Sequence, residues 1–280
     1  MRIDNDRLVG NDNRKVQFKK AGTSGGGLTG GKPRFLVIHY TANGSAGGAV
    51  NWFTRSDANT SAHLVIGHDG AITQLLNFDT VGWHAGKSEW KNVKGLNSHS
   101  VGIEVVNWGI LSKSSAGSWV SWTGTPVPDQ RVILASHRHR PGQSDGWEVF
   151  DEVQFMATVD AARAIVEEYG IGPSDVVGHD DISPGRKVDP GPAFDMDRFR
   201  GLVFGRSEDD WNDLAYKVRS NSGLNMRKGP GVDHEVIKLL DDGAEVHAIE
   251  QTGKWWLVAE VVNGKEDQTG YVHSHWLRPA

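Results

Sequence analysis

The feature that most constrains the fold is a pair of short apolar runs, each interrupted or ended by a chemically capable residue. Phe35-Leu36-Val37-Ile38 leads directly into His39-Tyr40, and Val101-Gly102-Ile103 leads into Glu104 before resuming as Val105-Val106. Such runs, bounded by turn formers, describe strands covered on both faces, the habit of a largely parallel sheet with helices packed over it. Side chains alternate along a strand, so Glu104 falls on the face opposite Ile103 and Val105.

The rest of the chain fits around these strands. Residues 62–66 and 72–76 are apolar and flank His68-Asp69-Gly70, a hairpin signal. Residues 109–148 are rich in Ser, Gly, Trp and Pro with little periodicity, a long excursion with room for a short strand pair. Asp151 reads as a helix N-cap, with Gln154 completing a capping box. Val153, Met156, Val159, Ala162, Ile165 and Val166 then recur at helical spacing until Gly170. Val176-Val177 is a short strand leading into Gly178-His179. Near Trp211 the pattern changes. Val236-Ile237, Val246-His247-Ala248-Ile249, Trp255-Trp256-Leu257-Val258 and Gly270-Tyr271-Val272 are short stretches cut by turns, the signature of a small all-β barrel.

The expected fold class is therefore α/β: a mixed central sheet flanked by helices over residues 33–205, plus a small all-β barrel over 214–280. Residues 1–32 are polar and Gly-rich, with Ser24-Gly25-Gly26-Gly27 and Gly30-Gly31. They carry seven Lys/Arg (Arg2, Arg7, Arg14, Lys15, Lys19, Lys20, Lys32) against three Asp (Asp4, Asp6, Asp12). That composition reads as a flexible basic N-terminal arm.

Composition excludes several chemistries. With no cysteine, the chain has no disulfide, thiolate zinc finger, iron–sulfur cluster or cysteine nucleophile. The net charge of −5 argues against a nucleic-acid partner. No apolar run approaches the roughly 18 residues of a transmembrane helix, so no membrane insertion is expected. The opening residues carry charges where an ordinary signal peptide has its apolar stretch. The expectation is a chain that stays inside or leaves by a non-classical route.

Two histidines and a carboxylate stand at informative places: His39 at the end of a buried strand, His179 after another, and Asp189 ten residues on. Two His and one carboxylate, with water in the fourth position, make an open catalytic zinc site. Spacing alone does not establish one, because a histidine at a strand end is more often structural.

The surrounding words add specificity. They are Phe35-Leu36-Val37-Ile38-His39-Tyr40-Thr41-Ala42, Ser61-Ala62-His63, Gly82-Trp83-His84-Ala85-Gly86, Val101-Gly102-Ile103-Glu104, and a long segment opening Gly178-His179-Asp180-Asp181. That segment continues through Ser183-Pro184-Gly185-Arg186-Lys187-Val188-Asp189-Pro190-Gly191-Pro192. In this order they resemble the zinc-dependent N-acetylmuramoyl-L-alanine amidases of the AmpD-like (amidase type 2) family, related in fold to animal peptidoglycan-recognition proteins. The resemblance covers residues 33–200.

It implies one Zn²⁺ in a surface cleft, held by His39, His179 and Asp189, with Glu104 as general base and Lys187 stabilising the oxyanion. It implies that His63, Trp83 and His84 line the substrate cleft, and Asn107 is a further candidate for contact with glycan or peptide. Some relatives use Cys as third ligand, which a cysteine-free chain cannot do. His137-Arg138-His139 and His273-Ser274-His275 read as exposed loop or strand residues rather than metal pairs.

The C-terminal words Leu224-Asn225-Met226-Arg227-Lys228-Gly229-Pro230-Gly231, Gly270-Tyr271-Val272 and Trp276-Leu277 resemble a bacterial SH3-like domain. That implies peptidoglycan binding, with Trp255, Tyr271 and Trp276 as candidate contacts and Trp256 and Leu257 as core. The implied function is hydrolysis of the amide between N-acetylmuramic acid and L-alanine in polymeric cell wall, after non-classical export or phage lysis. An effector context would add a secretion machine or immunity protein as partner. The alternatives are a cytoplasmic anhydro-muropeptide recycling amidase and a non-catalytic peptidoglycan-binding protein.

Overall fold

The structure, a computed structural model, describes residues 1–204, 215–220, 222–252, 254–262 and 265–279 of the chain. It divides into two units, Met1–Phe204 and Gly205–Ala280. Trp211, where the sequence pattern changes, lies outside the described residues, as does the rest of 205–214.

The first unit is built on a six-stranded mixed sheet in the order Val176–Gly178, Phe35–Tyr40, Ser100–Val105, Leu64–Ile66, Ile72–Gln74, Gln17–Phe18. The first four are mutually parallel, and the hairpin at Asp69-Gly70 makes Leu64–Ile66 and Ile72–Gln74 antiparallel. Both apolar runs of the sequence are buried along their central strands. Register pairs His39 with Glu104 and Val37 with Gly102. These residues share the face that carries Phe35, Val37 and Val177, which pack with Ala85, Leu96 and Ile182. Leu36, Ile38, Ile103 and Val105 point the other way.

The helix Glu152–Tyr169 packs against Leu64–Ile66 and Ser100–Val105 and ends at Gly170 in the left-handed region, as its sequence predicts. The expected capping box does not form. Asp151 occupies the N-cap, but its carboxylate accepts from Arg131 and His68. Gln154 instead donates across to the carbonyls of Ile66 and Val106. Val153 is 56% exposed, so the buried stripe runs through Phe155, Val159, Ala162, Ile165 and Val166.

The 109–148 excursion is more ordered than expected. It forms a four-stranded antiparallel sheet in the order Trp119–Val120, Ile110–Lys113, Ser144–Glu148, Val132–Ser136. Leu111, Val127 and Val132 make its own small core.

The expectation of a flexible N-terminal arm is corrected. Arg2–Asp4 and Arg7–Val9 form a hairpin with Leu8 and Val9 buried, and Gln17–Phe18 adds an edge strand to the main sheet. Buried Gln74 fastens the hairpin: its Oε1 accepts from the Leu8 N–H at 2.8 Å and its Nε2 donates to the Asp6 carbonyl at 2.9 Å. Close approach, not flexibility, accounts for one of this segment's glycines. A Cβ on Gly22 would fall 1.9 Å from the Arg55 carbonyl oxygen.

The second unit is a seven-stranded antiparallel sheet running from Val236–Leu240 at one edge to Leu277–Pro279 at the other. Register shifts at Met226/Arg227, Ala248/Glu250 and Ala259/Val261 add local twist and let it curl around Val218, Met226, Val246, Val258 and Val272. Among the described residues, no helix is long and apolar enough to cross a membrane.

Candidate active site

Three adjacent parallel strands deliver three site residues at their carboxyl ends, where open α/β sheets bind ligands. His39 ends Phe35–Tyr40, Glu104 lies beside it in Ser100–Val105, and His179 follows Val176–Gly178. The loop after His179 returns Asp189 to the same point. The Nδ1 atoms of His39 and His179 lie 2.9 Å apart, and each lies 2.9 Å from Asp189 Oδ2. All three residues are buried.

The donor chemistry fits a zinc ion. His39 Nε2 donates to His84 Nδ1 at 3.0 Å, and His179 Nε2 donates to the Ala85 carbonyl at 3.1 Å. With those protons on Nε2, both Nδ1 lone pairs converge on a carboxylate oxygen, so three acceptors meet with no donor between them. A dication satisfies that convergence, and partners on the far nitrogens are what fix ligating histidines. Burial, then the facing His179, pushes His39 down to about 4, which keeps it neutral and able to ligate.

Glu104 is 8% exposed, and its buried Oε2 has no hydrogen-bond partner among the described residues. Burial first, then the Asp189 charge, raises it well above the usual carboxylate range, while Lys187 pulls the other way. An electron-rich, poorly solvated carboxylate beside a cation site is equipped to take and return a proton.

These residues floor a cleft of about 380 Å³. Glu104, Lys187, Trp83 and His84 line it. Two predicted substrate contacts do not. His63 is fully buried beneath the cleft, accepting from the Gly102 N–H at 3.0 Å and donating to the Thr80 carbonyl at 2.8 Å. Asn107 is also fully buried: its amide donates to the carbonyls of Glu148 and Val149, and its Oδ1 accepts from Gly109. Both hold backbone together and leave no atom for a substrate. His137, read as an exposed residue, is likewise buried, against Asp180.

The sequence reading missed Tyr40, Trp52, Arg186 and Trp122. Tyr40 follows His39 and lines the cleft, its phenol raised by burial and so kept protonated. Trp52 is 49% exposed and pinned through its indole N–H to Thr60 Oγ1. The helix Ala46–Phe53 buries Ala49, Val50 and Phe53, so a tryptophan off that stripe was the legible signal. Arg186 ties the loop before Asp189 to the carbonyls of Ala85 and Lys87. Trp122, from the excursion, donates to the carbonyl of cleft-lining Ala42 at 2.8 Å.

In the second unit, register pairs Trp255 with His273 and Leu257 with Tyr271, on the face opposite Val258 and Val272. Trp255 and Tyr271 are half-buried there, and Trp276 is exposed. Trp256 packs against the core, with its ring 5.2 Å from Tyr216.

Comparison with known proteins agrees with this geometry. Residues 29–192 match the family model described as N-acetylmuramoyl-L-alanine amidase, and residues 222–278 match the bacterial SH3 domain model. The chain is 31% identical over 143 residues to the 1,6-anhydro-N-acetylmuramyl-L-alanine amidase AmpD of Escherichia coli, covering 51% of this chain and 58% of that protein. It is 31% identical over 168 residues to the N-acetylmuramoyl-L-alanine amidase AmiD of the same organism, covering 58% and 50%. The N-acetylmuramoyl-L-alanine amidase A of Achromobacter lyticus is 38% identical over 173 residues, covering 60% and 82%. The chain thus spans about half the length of AmpD and AmiD. With more than half of its residues matched by the family model, and with an acceptor cluster and buried carboxylate inside the match, the chain belongs to the N-acetylmuramoyl-L-alanine amidase family.

Proposed function

We propose that the chain hydrolyses the amide between N-acetylmuramic acid and L-alanine, and that its substrate is the polymeric wall. The observation that carries the activity is the convergence of His39, His179 and Asp189 beside the unpartnered oxygen of Glu104. Zinc held by those three residues would activate water and polarise the scissile carbonyl. Glu104 takes the proton of the attacking water and returns it to the departing L-alanine nitrogen, which leaves as a neutral amine. Lys187, across the same cleft, places positive charge where the carbonyl oxygen becomes anionic. Tyr40 and Trp83 wall the cleft and limit water at the reacting bond.

Polymeric substrate is supported by the outward aromatics of the SH3 unit and by the exposed tryptophans at the cleft, Trp52 and Trp83. Such a substrate lies outside the cytoplasm, and that is where we propose the chain acts. The second reading, hydrolysis of soluble anhydro-muropeptides, is favoured by the name of the AmpD relatives.

The test uses sacculi and a soluble muramoyl tripeptide. Unmodified protein should release stem peptides from sacculi at the higher rate, and Glu104→Gln should lose about 10²-fold or more while keeping one zinc per chain. Release by Glu104→Gln at the unmodified rate would sink the mechanism. Preference for the soluble fragment would select the second reading.

A further inference from the structure

The excursion sheet reaches the loop that carries two of the three metal donors. Its strand Val132–Ser136 ends at His137 and Arg138, and both side chains grip Asp180, the residue after His179. His137 Nδ1 accepts from the His139 N–H at 3.2 Å, which puts its proton on Nε2, and Nε2 donates to Asp180 Oδ2 at 2.9 Å. Arg138 donates to both Asp180 oxygens and, at 2.8 Å, to Asp181. Asp180 is buried, and its backbone N–H donates to the Asp189 carbonyl at 2.8 Å.

A second contact lies at the other donor. Trp147, fully buried in the excursion strand Ser144–Glu148, lies against the turn after Asp189. A Cβ on Gly191 would fall 2.5 Å from its ring, and Gly191 has φ +72°. Trp147 also stacks on His137 at 5.8 Å between ring centroids.

Nothing in the proposed mechanism uses Asp180. It neither ligates nor lines the cleft, yet a buried carboxylate is strongly disfavoured unless fully paired. Its pairing spans the two ends of the ligand loop. We propose that the excursion is the buttress of the metal site: His137 and Arg138, through Asp180, and Trp147, through Gly191, set the distance between His179 and Asp189. These are positioning residues. The inference rests on reading His39, His179 and Asp189 as zinc ligands.

The test is metal binding by the full chain. Zinc is competed away with a chelator, and Co²⁺ is substituted so that its visible absorption reports ligand geometry. His137→Leu and Arg138→Met should each lose zinc about 10-fold or more readily and change the Co²⁺ spectrum. His137→Gln, which keeps an N–H donor, should recover part of both. Leu111→Ala, in the excursion's own core, should lower the melting temperature but bind zinc as the unmodified chain does while folded. If His137→Leu fails to fold, Arg138→Met decides, because Arg138 is half exposed. Unchanged zinc affinity and Co²⁺ spectrum in Arg138→Met overturn the proposal, as does equal weakening in Leu111→Ala. An unmodified chain that binds no zinc removes the metal reading itself, a separate result.

Discussion

His39 Nε2 lies 3.0 Å from His84 Nδ1, and the line continues through His84 Nε2 to the Ser100 hydroxyl at 3.3 Å and on to the Leu96 carbonyl at 2.6 Å. The terminal carbonyl can only accept, so every proton in the chain points away from the cleft. His39 must then present a bare Nδ1 to the metal. His84→Ala should therefore weaken zinc binding about 10- to 100-fold, and Ser100→Ala should do so less. Chelator competition measures both. A higher KM with full zinc occupancy in His84→Ala would return His84 to the role of a substrate contact.

The N-terminal segment makes a separate prediction. Gln74 is fully buried and satisfies backbone groups of Asp6, Leu8 and Leu76. Gln74→Ala strands these groups, at about 1–3 kcal/mol for each that water cannot reach. Unfolding by urea should show a loss of roughly 2–4 kcal/mol. Hydrogen exchange at Leu8, Ala21 and Leu28 should be slow in the unmodified protein and faster at Leu8 in the variant. Free exchange of all three in the unmodified protein would restore the flexible arm.

That segment also shows what the sequence could and could not display. His39 and Glu104 were legible because each follows an apolar run whose burial is written in consecutive residues. The arm was not, because Leu8-Val9 and Leu28 are too short to read as apolar runs, and they are buried only by contact with the rest of the fold. Composition reads the segment's glycines as freedom, whereas at Gly22 the close approach of Arg55 requires one. His137 looked exposed because its partner, Asp180, is 43 residues away. Asn107 and His63 carry residue types that suit a sugar, and only their fully paired backbone contacts show that neither is available. Asp151 and Gln154 fit a capping box, but a closer arginine and a sheet carbonyl outcompete it.

His63 gives a pH prediction. Burial lowers it to about 4, against about 6.5 in an unfolded chain. Between those values the unfolded state binds a proton that the folded state refuses, so stability falls as pH drops from about 6.5 to about 4. The full contribution is on the order of 3 kcal/mol. His63→Gln can accept from Gly102 and donate to Thr80 without titrating. Urea unfolding of metal-free protein at pH 7 and pH 4 should show the unmodified chain losing about 3 kcal/mol more than the variant across that interval. Parallel losses would mean that His63 protonates in place.

The curled sheet of the second unit separates two tryptophans that the sequence sets side by side. Trp256 shares the core face with Val258 and Val272, whereas Trp255 alternates outward beside His273, and Trp276 is exposed on the turn Ser274–Trp276. Trp256→Ala should cost about 2 kcal/mol through the packing it gives up against the core. Trp276→Ala removes little buried area, and Trp255→Ala gives up only its packing on the outward face, so both melting temperatures should fall less than that of Trp256→Ala. If the outward face holds wall polymer, those two variants should pellet with sacculi several-fold less than the unmodified protein, because exposed aromatic plates supply contact area at low entropic cost. Sedimentation with purified sacculi, next to a thermal melt of each variant, reads both effects. Full retention on sacculi by the Trp255→Ala, Trp276→Ala double variant would leave the SH3 unit without its proposed role and weaken the case for a polymeric substrate.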